Sequence, residues 1–413
     1  MKIAIVGSGI SGNTLAHLLF KNHDITLFEK NDRLGGHSHT HEIKINKKKF
    51  NVDTGFIVFN KATYPLFTNL LDELNVRYEN SNMSFSVFSK KNNFEYNGTS
   101  LNTLFSQRKN ILNYKFLKMI YEIIKFNKIS VNLLSSKKEI SLGDFLNQNQ
   151  FSDYFCKNYI LPMGSAIWST NISKMLEFPA IFFINFFKNH GMLNINDRPQ
   201  WLTISGGSKE YVKKLTSSFK KNIKLNCKIL SVERNSKSII VNHKNGKEKF
   251  DFIIFACHSD EALNLIKSPT LDEKKILSTI NYSQNTVTLH TDKTIMPNKK
   301  LSWAAWNYNI DNLENKPITL TYNMNILQNL NSLVPILVTL NDDGQINPKK
   351  IIKNINYSHP LFTLNSVKAQ KKHNIISGKN RTAFAGAYWG NGFHEDGIKS
   401  AHDVFSQINK FLK

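Results

Sequence analysis

Cysteine is scarce in this chain. Cys156, Cys227 and Cys257 are the only three in 413 residues and form no C-x-x-C pair. Neither a disulfide framework nor a zinc site is expected, and a reducing, cytoplasmic setting is. No uninterrupted apolar run of about 18 residues occurs, which argues against a membrane-spanning helix. The apolar N-terminal stretch is broken by glycines, which argues against a signal peptide. Arginine is equally sparse: Arg33, Arg77, Arg108, Arg198, Arg234 and Arg381 are six of 54 basic residues. The formal net charge of +23 is therefore mostly lysine. With Asn and Ile abundant, that pattern reads as AT-rich codon usage and a solvated lysine surface. Nucleic-acid readers lean on Arg, and no nucleic-acid module is visible, so no nucleic-acid partner is expected. Internal repeats and low-complexity linkers are missing too. A length of 413 residues exceeds one simple core and predicts two domains.

What is present begins at the N-terminus. Lys2-Ile3-Ala4-Ile5-Val6 reads as a buried strand. Gly7-Ser8-Gly9-Ile10-Ser11-Gly12 follows at once and matches G-x-G-x-x-G. Residues 14–20 are helix-like, and residues 25–28 read as a second strand ending on Glu29. This is a dinucleotide-binding βαβ unit. Gly7 serves the tight turn, Gly9 lets the backbone approach a pyrophosphate, and Gly12 lets the helix lie close to the strand. The helix N-terminus offers free N–H groups to phosphate. Glu29 stands where a carboxylate would bond ribose hydroxyls and repel a 2′-phosphate. No second fingerprint for a nicotinamide cofactor is found.

Other strand signals are dispersed. After Trp201–Ile204 and the Ser205-Gly206-Gly207 turn, a helix is expected over 209–219 and strands over 223–229, 238–243 and 250–256. The last of these is nearly continuously apolar, as suits a parallel sheet covered on both faces. A strand over 382–386 and a final helix opening at Asp396-Gly397 close the chain. Helices are expected over 64–74, 111–129, 141–149 and 151–161. A second insert from about 263 begins helical and gains strands over 286–290 and 318–322.

Together the βαβ unit, Arg33-Leu34-Gly35-Gly36, Ser205-Gly206-Gly207 and Ala385-Gly386-Ala387-Tyr388-Trp389-Gly390 resemble the flavin-containing amine oxidase superfamily, with its protoporphyrinogen oxidases and carotenoid desaturases. Gly35-Gly36-His37-Ser38-His39-Thr40, Asp53-Thr54-Gly55-Phe56, the 161–168 segment and Trp389–Gly397 are similar to a bacterial subgroup of FAD-binding oxidoreductases encoded beside cyclopropane-fatty-acid-synthase-like methyltransferases. The resemblance implies an α/β fold: a Rossmann-like FAD-binding domain built from 1–63, 200–260 and 379–413, and an α+β substrate domain from 64–199 and 261–378. It places FAD against Gly7, Gly9, Ser11, Gly12, Glu29, Lys30, Arg33, Gly35, Gly36, His37, Thr54, Gly55, Gly386, Trp389, Gly397 and Ile398. Gly397, at a helix start, is expected to aim N–H groups at the flavin. No Cys lies in the C-terminal segment, which argues against a cysteinyl flavin. The implied reaction is hydride removal from a substrate C–H bond, with an acyl lipid favoured. An amine or amino-acid oxidase and a non-catalytic flavin-binding partner protein are the alternatives.

No catalytic base stands out. His290 and Asp292, or His394, Glu395 and Asp396, are candidate proton acceptors. His37, His39 and His41 alternate and would share one strand face, yet lack the partners of a metal site. Residues 111–129 carry apolar Leu112, Phe116, Met119, Ile120, Ile123 and Ile124 at helical spacing, with Lys115, Lys118, Lys125 and Lys128 largely elsewhere. Such a basic amphipathic helix can rest on an anionic membrane in weak peripheral contact; the more common alternative is a domain helix with a solvated lysine face. The aromatic stretch 178–187 can wall an apolar channel or equally form buried core.

Overall fold

The computed structural model describes residues 1–136, 139–194, 198–311 and 318–411. Three separated stretches of chain build one parallel sheet. Its strands run in the order Ile223–Lys224, Asp24–Phe28, Lys2–Val6, Phe252–Phe255 and Thr382–Phe384. Alternation along these strands splits the apolar residues between two faces. Ile3, Ile5, Ile25, Leu27 and Ile254 pack on the helices Ile10–Leu19 and His394–Phe411. Ala4, Val6, Phe28, Ile253 and Phe255 pack on a three-stranded antiparallel sheet of Ile229–Arg234, Ile239–His243 and Gly246–Phe250. With both faces covered, these strands can be apolar throughout.

Two expected strands divide. The run over 250–256 breaks at Asp251, whose carboxylate accepts the Lys2 N–H at 2.7 Å, so its two halves enter different sheets. The run over 223–229 breaks near Asn226, which has φ +52°.

The first insert is less helical than its sequence suggests, and the second is strand-rich as expected, with strands at Tyr282–His290 and Thr319–Asn323. Phe85–Ser89 and Phe94–Asn97 join Trp306–Asn309, Thr319–Asn323, Leu337–Leu340, Tyr282–His290 and Ile351–Pro360 in one seven-stranded sheet. The link between inserts is the parallel pairing of Phe85 with Trp306. A smaller sheet pairs Tyr78–Ser81 and Val58–Phe59 with Trp201–Ile204. The helix predicted over 111–129 runs from Tyr114 to Ser136, after a 3-10 turn at Arg108–Leu112. The one over 151–161 becomes Asp153–Phe155, a π-turn at Cys156–Ile160, and Leu161–Trp168. Among the described residues, no helix is long and apolar enough to cross a membrane.

Candidate functional site

The N-terminal turn is built by close approach of backbone. Gly7 has φ +100°, a conformation glycine adopts without strain, and its N–H donates to the Phe28 carbonyl at 2.8 Å. A Cβ on Gly12 would overlap the Gly7 carbonyl oxygen. At Gly9 the reverse holds: a Cβ there meets nothing within 4 Å. Gly9 caps the helix Ile10–Leu19 with no side chain bonded to its end and no acid in its first turn. The positive end of the helix is thus left open beside a backbone with free space.

The second glycine turn lies against the first. The Gly35 N–H donates to the Ser8 carbonyl at 2.9 Å, and a Cβ on Gly36 would stand 3.1 Å from the Gly9 Cα. Arg33 holds this turn, its guanidinium donating to the Gly36 carbonyl at 2.9 Å. Glu29 is buried at the end of its strand. Its carboxylate accepts the Ser8 N–H and hydroxyl at 3.1 and 2.5 Å and the Asn31 N–H and amide at 2.9 and 2.8 Å. Lys30 pairs outward with Glu261 at 2.5 Å.

His37, His39 and His41 do not share one strand face, because the strand begins at Thr40. His39 and His41 lie with ring centroids 3.9 Å apart. His37 stacks on Tyr357 at 5.0 Å and adjoins His359 at 5.3 Å and His258 at 6.4 Å. Its Nε2 is buried without a hydrogen-bond partner. Burial, aided by His359 and His258, holds His37 well below its ordinary pKa. Burial likewise lowers His39 to about 3 and His41 and His359 to about 4. This wall is therefore uncharged at neutral pH. Thr54 closes it, its hydroxyl 2.9 Å from the Tyr357 hydroxyl, while a Cβ on Gly55 would overlap the His37 carbonyl. Among the described residues, no group of three His, Cys, Asp or Glu is placed to hold a metal.

The C-terminal arm crosses the same turn. The Ser11 hydroxyl donates to the Gly397 carbonyl at 2.9 Å, and a Cβ on Gly397 would lie 2.6 Å from Ile10 Cγ2. Glycine at 397 is explained by this helix crossing. The helix starts earlier than expected, at His394, and the Gly397 N–H donates to the Phe393 carbonyl at 3.1 Å. It is not itself a free donor. Ile398 is buried in the core beside Ile10 and Phe67. The Gly386 N–H donates to the Ser400 hydroxyl at 3.0 Å. Trp389 lies 4.3 Å from the His373 ring and packs against the core that holds Phe384.

The candidate proton acceptors are engaged in structure. His290 Nε2 meets the Thr339 hydroxyl at 2.8 Å, and Asp292 accepts the Lys350 ammonium at 2.9 Å and the Asn347 N–H at 2.9 Å. His394 stacks on Phe56 at 3.6 Å and bonds Ser38 at 2.9 Å. Glu395 accepts the Leu66 and Phe67 N–H groups at 2.9 and 3.0 Å. Asp396 accepts the Phe393 N–H at 3.0 Å, and burial pushes its carboxyl up to about 6.

A cluster of aromatic side chains, most of them buried in the core, adjoins this arm. Trp168 packs against Phe178, Phe182 and Phe186 with centroids at 5.1, 6.0 and 4.9 Å. Phe362 stands 4.9 Å from Phe182, and Phe393 stands 4.9 Å from Phe186. Trp168 Nε1 donates to the Asn391 carbonyl at 3.3 Å. Sequence reading missed His258, Tyr357, His359 and Phe362. The i, i+2 spacing of Tyr357 and His359 on a strand was the available signal.

Comparison with known proteins gives the family and the fold. The family profile described as flavin containing amine oxidoreductase matches residues 14–338. No curated protein matches the chain in sequence. The CLA-producing fatty acid isomerase from P. acnes superposes with a TM-score of 0.70 at 14% identity, covering 98% of each chain. Cyclohexylamine oxidase from Brevibacterium oxydans IH-35A gives 0.70 at 10% identity, covering 100% of this chain and 99% of that one. Putrescine oxidase bound to putrescine gives 0.67 at 14% identity with both chains fully covered, 100% and 100%. At these identities the likeness is one of fold.

Proposed function

We propose that this chain, a member of the flavin containing amine oxidoreductase family and so an FAD-dependent oxidoreductase, oxidises or desaturates a fatty-acyl lipid. Bound FAD supplies the hydride acceptor. The observation that carries the substrate class is the aromatic cluster of Trp168, Phe178, Phe182, Phe186, Phe362 and Phe393 beside the C-terminal arm. Most of these rings pack on one another in the core, and Phe182 and Phe393 are only partly buried; a pocket bounded by such rings would suit a hydrocarbon chain. An ammonium substrate is better served by a free carboxylate, and Asp396 on this arm is engaged by backbone N–H. A fatty acid isomerase of the same fold adds support for an acyl chain on this scaffold.

The residues fit the cofactor. The open space at Gly9 and the uncapped helix end behind it suit a pyrophosphate. Gly35, Gly36 and Arg33 brace that turn, and Glu29 can take ribose hydroxyls in place of the Ser8 hydroxyl. The unpartnered Nε2 of His37 is a polar atom awaiting a ligand. The neutral histidines around it contribute hydrogen bonding and exclude water without adding charge.

Anaerobic mixing of the purified flavoprotein with unsaturated fatty acids, phospholipids and a panel of amines tests the reading. Flavin bleaching by an acyl lipid is expected. Rapid bleaching by a monoamine or polyamine, with none by acyl lipids, would assign the chain to amine oxidation.

A further inference from the structure

The helix Tyr114–Ser136 is apolar on two opposite sides. Phe116, Met119, Phe126 and Leu133 face the core. Half a turn away, at 100° per residue, Tyr114, Leu117, Tyr121 and Ile124 follow three- and four-residue steps, Val131 lies two turns further on, and all lie exposed. Leu112, on the preceding 3-10 turn, is 91% exposed, Tyr114 75% and Tyr121 65%. The apolar set expected from sequence thus divides: Phe116 and Met119 point inward, while Leu112 and Ile124 point outward.

The charge around this exposed stripe has one sign. Residues 99–136 contain Arg108, Lys109, Lys115, Lys118, Lys125 and Lys128 and a single carboxylate, Glu122. Glu122 is buried and accepts the Ser152 N–H at 2.9 Å. Lys115, Lys118 and Lys128 are exposed along the helix. Lys125 is tied inward, donating to the Asn149 carbonyl at 2.7 Å. On the flanking helix, Asp153 is paired with Lys157 at 3.7 Å.

We infer that this face is a docking surface for an anionic lipid bilayer, on which the helix lies parallel to the membrane plane. Charge complementarity selects the occupant. Exposed lysines beside exposed aliphatic and tyrosine side chains, with no exposed carboxylate in the segment, match the headgroup–acyl boundary of an anionic leaflet. The tyrosines suit that boundary because one end of the ring is apolar and the other wet. The proposed contact is peripheral, with the helix at the bilayer surface; among the described residues no helix is long and apolar enough to cross a membrane. The inference is independent of the acyl-substrate reading, because it rests on a different surface.

Flotation of the flavin-loaded protein with phosphatidylcholine vesicles, with and without phosphatidylglycerol, tests it. Flotation only with phosphatidylglycerol, and release by high salt, are expected. Leu117→Asp combined with Tyr121→Asp should lower vesicle affinity at least tenfold, and Lys118→Glu by roughly fivefold or more. Both proteins should keep wild-type flavin content and melting temperature, because the replaced side chains are exposed. Four results would overturn the inference: no flotation of wild type, equal flotation with both vesicles, variants that float as well as wild type, or sedimentation showing a wild-type dimer that the double substitution makes monomeric.

Discussion

Gly9→Val separates cofactor binding from folding. In the protein alone a Cβ at Gly9 meets nothing within 4 Å, and φ −67° with ψ −176° is a backbone conformation valine adopts readily. Valine is a poorer N-cap than glycine by several tenths of a kcal/mol, but it stiffens the unfolded chain by about as much. These effects cancel to within about 1 kcal/mol, so the melting midpoint of the apoprotein should move by no more than roughly 4 °C. The cofactor is affected differently, since the side chain fills the space beside the open helix end. Losing two N–H bonds to a charged pyrophosphate costs roughly 3–6 kcal/mol. That weakens FAD by about two to four orders of magnitude. Gly12→Val is the contrasting control, since its Cβ overlaps the Gly7 carbonyl and so damages the fold itself. The assay is FAD titration by absorbance and fluorescence, with apoprotein melting alongside. A Gly9→Val protein that purifies with a full complement of flavin would refute the assignment of this turn. One that loses flavin only because it no longer folds would refute the steric argument.

Two further outcomes concern the scaffold. Arg234 and Glu273 form a bidentate pair at 2.6 and 2.7 Å, with side chains only 8% and 2% exposed. Arg234→Met should cost about 3–5 kcal/mol in urea unfolding by stranding a buried carboxylate, and a loss below about 1 kcal/mol would contradict this. Acid should also destabilise the protein. Burial lowers the folded-state pKa of His39 and His394 to about 3 and of His41, His190, His290 and His359 to about 4, against 6.5 in the unfolded chain. Across that window the unfolded state binds more protons, so stability present above pH 6.5 is lost as pH falls toward 4. Asp53 and Asp396, both pushed up to about 6 by burial, act in the opposite sense but are outnumbered. A melting temperature that rises between pH 7 and pH 5 would contradict the expectation.

What the sequence alone determined is local. The strand, glycine turn, helix, second strand and Glu29 occupy fewer than 30 consecutive residues. Their geometry follows from glycine sterics and side-chain period, whatever the rest of the chain does. The same locality made Arg33-Leu34-Gly35-Gly36 legible, because that turn packs back on the first. Tertiary structure decided the remainder. Tyr357 reaches His39 across 318 residues, and no local pattern registers such a pairing. Phe85–Ser89 became a sheet strand because Trp306–Asn309 offers a parallel edge. The role expected of Gly397 does not hold, since its N–H is bonded within the helix; the glycine serves the crossing with Ile10 and Ser11, which exists only once both helices are docked. The helix Tyr114–Ser136 shows the limit most directly. Its periodicity was plain, but a helix apolar on two sides does not say which side is buried. Only the neighbours of Phe116, Met119 and Phe126 chose the inner face and left Leu117, Tyr121 and Ile124 outside.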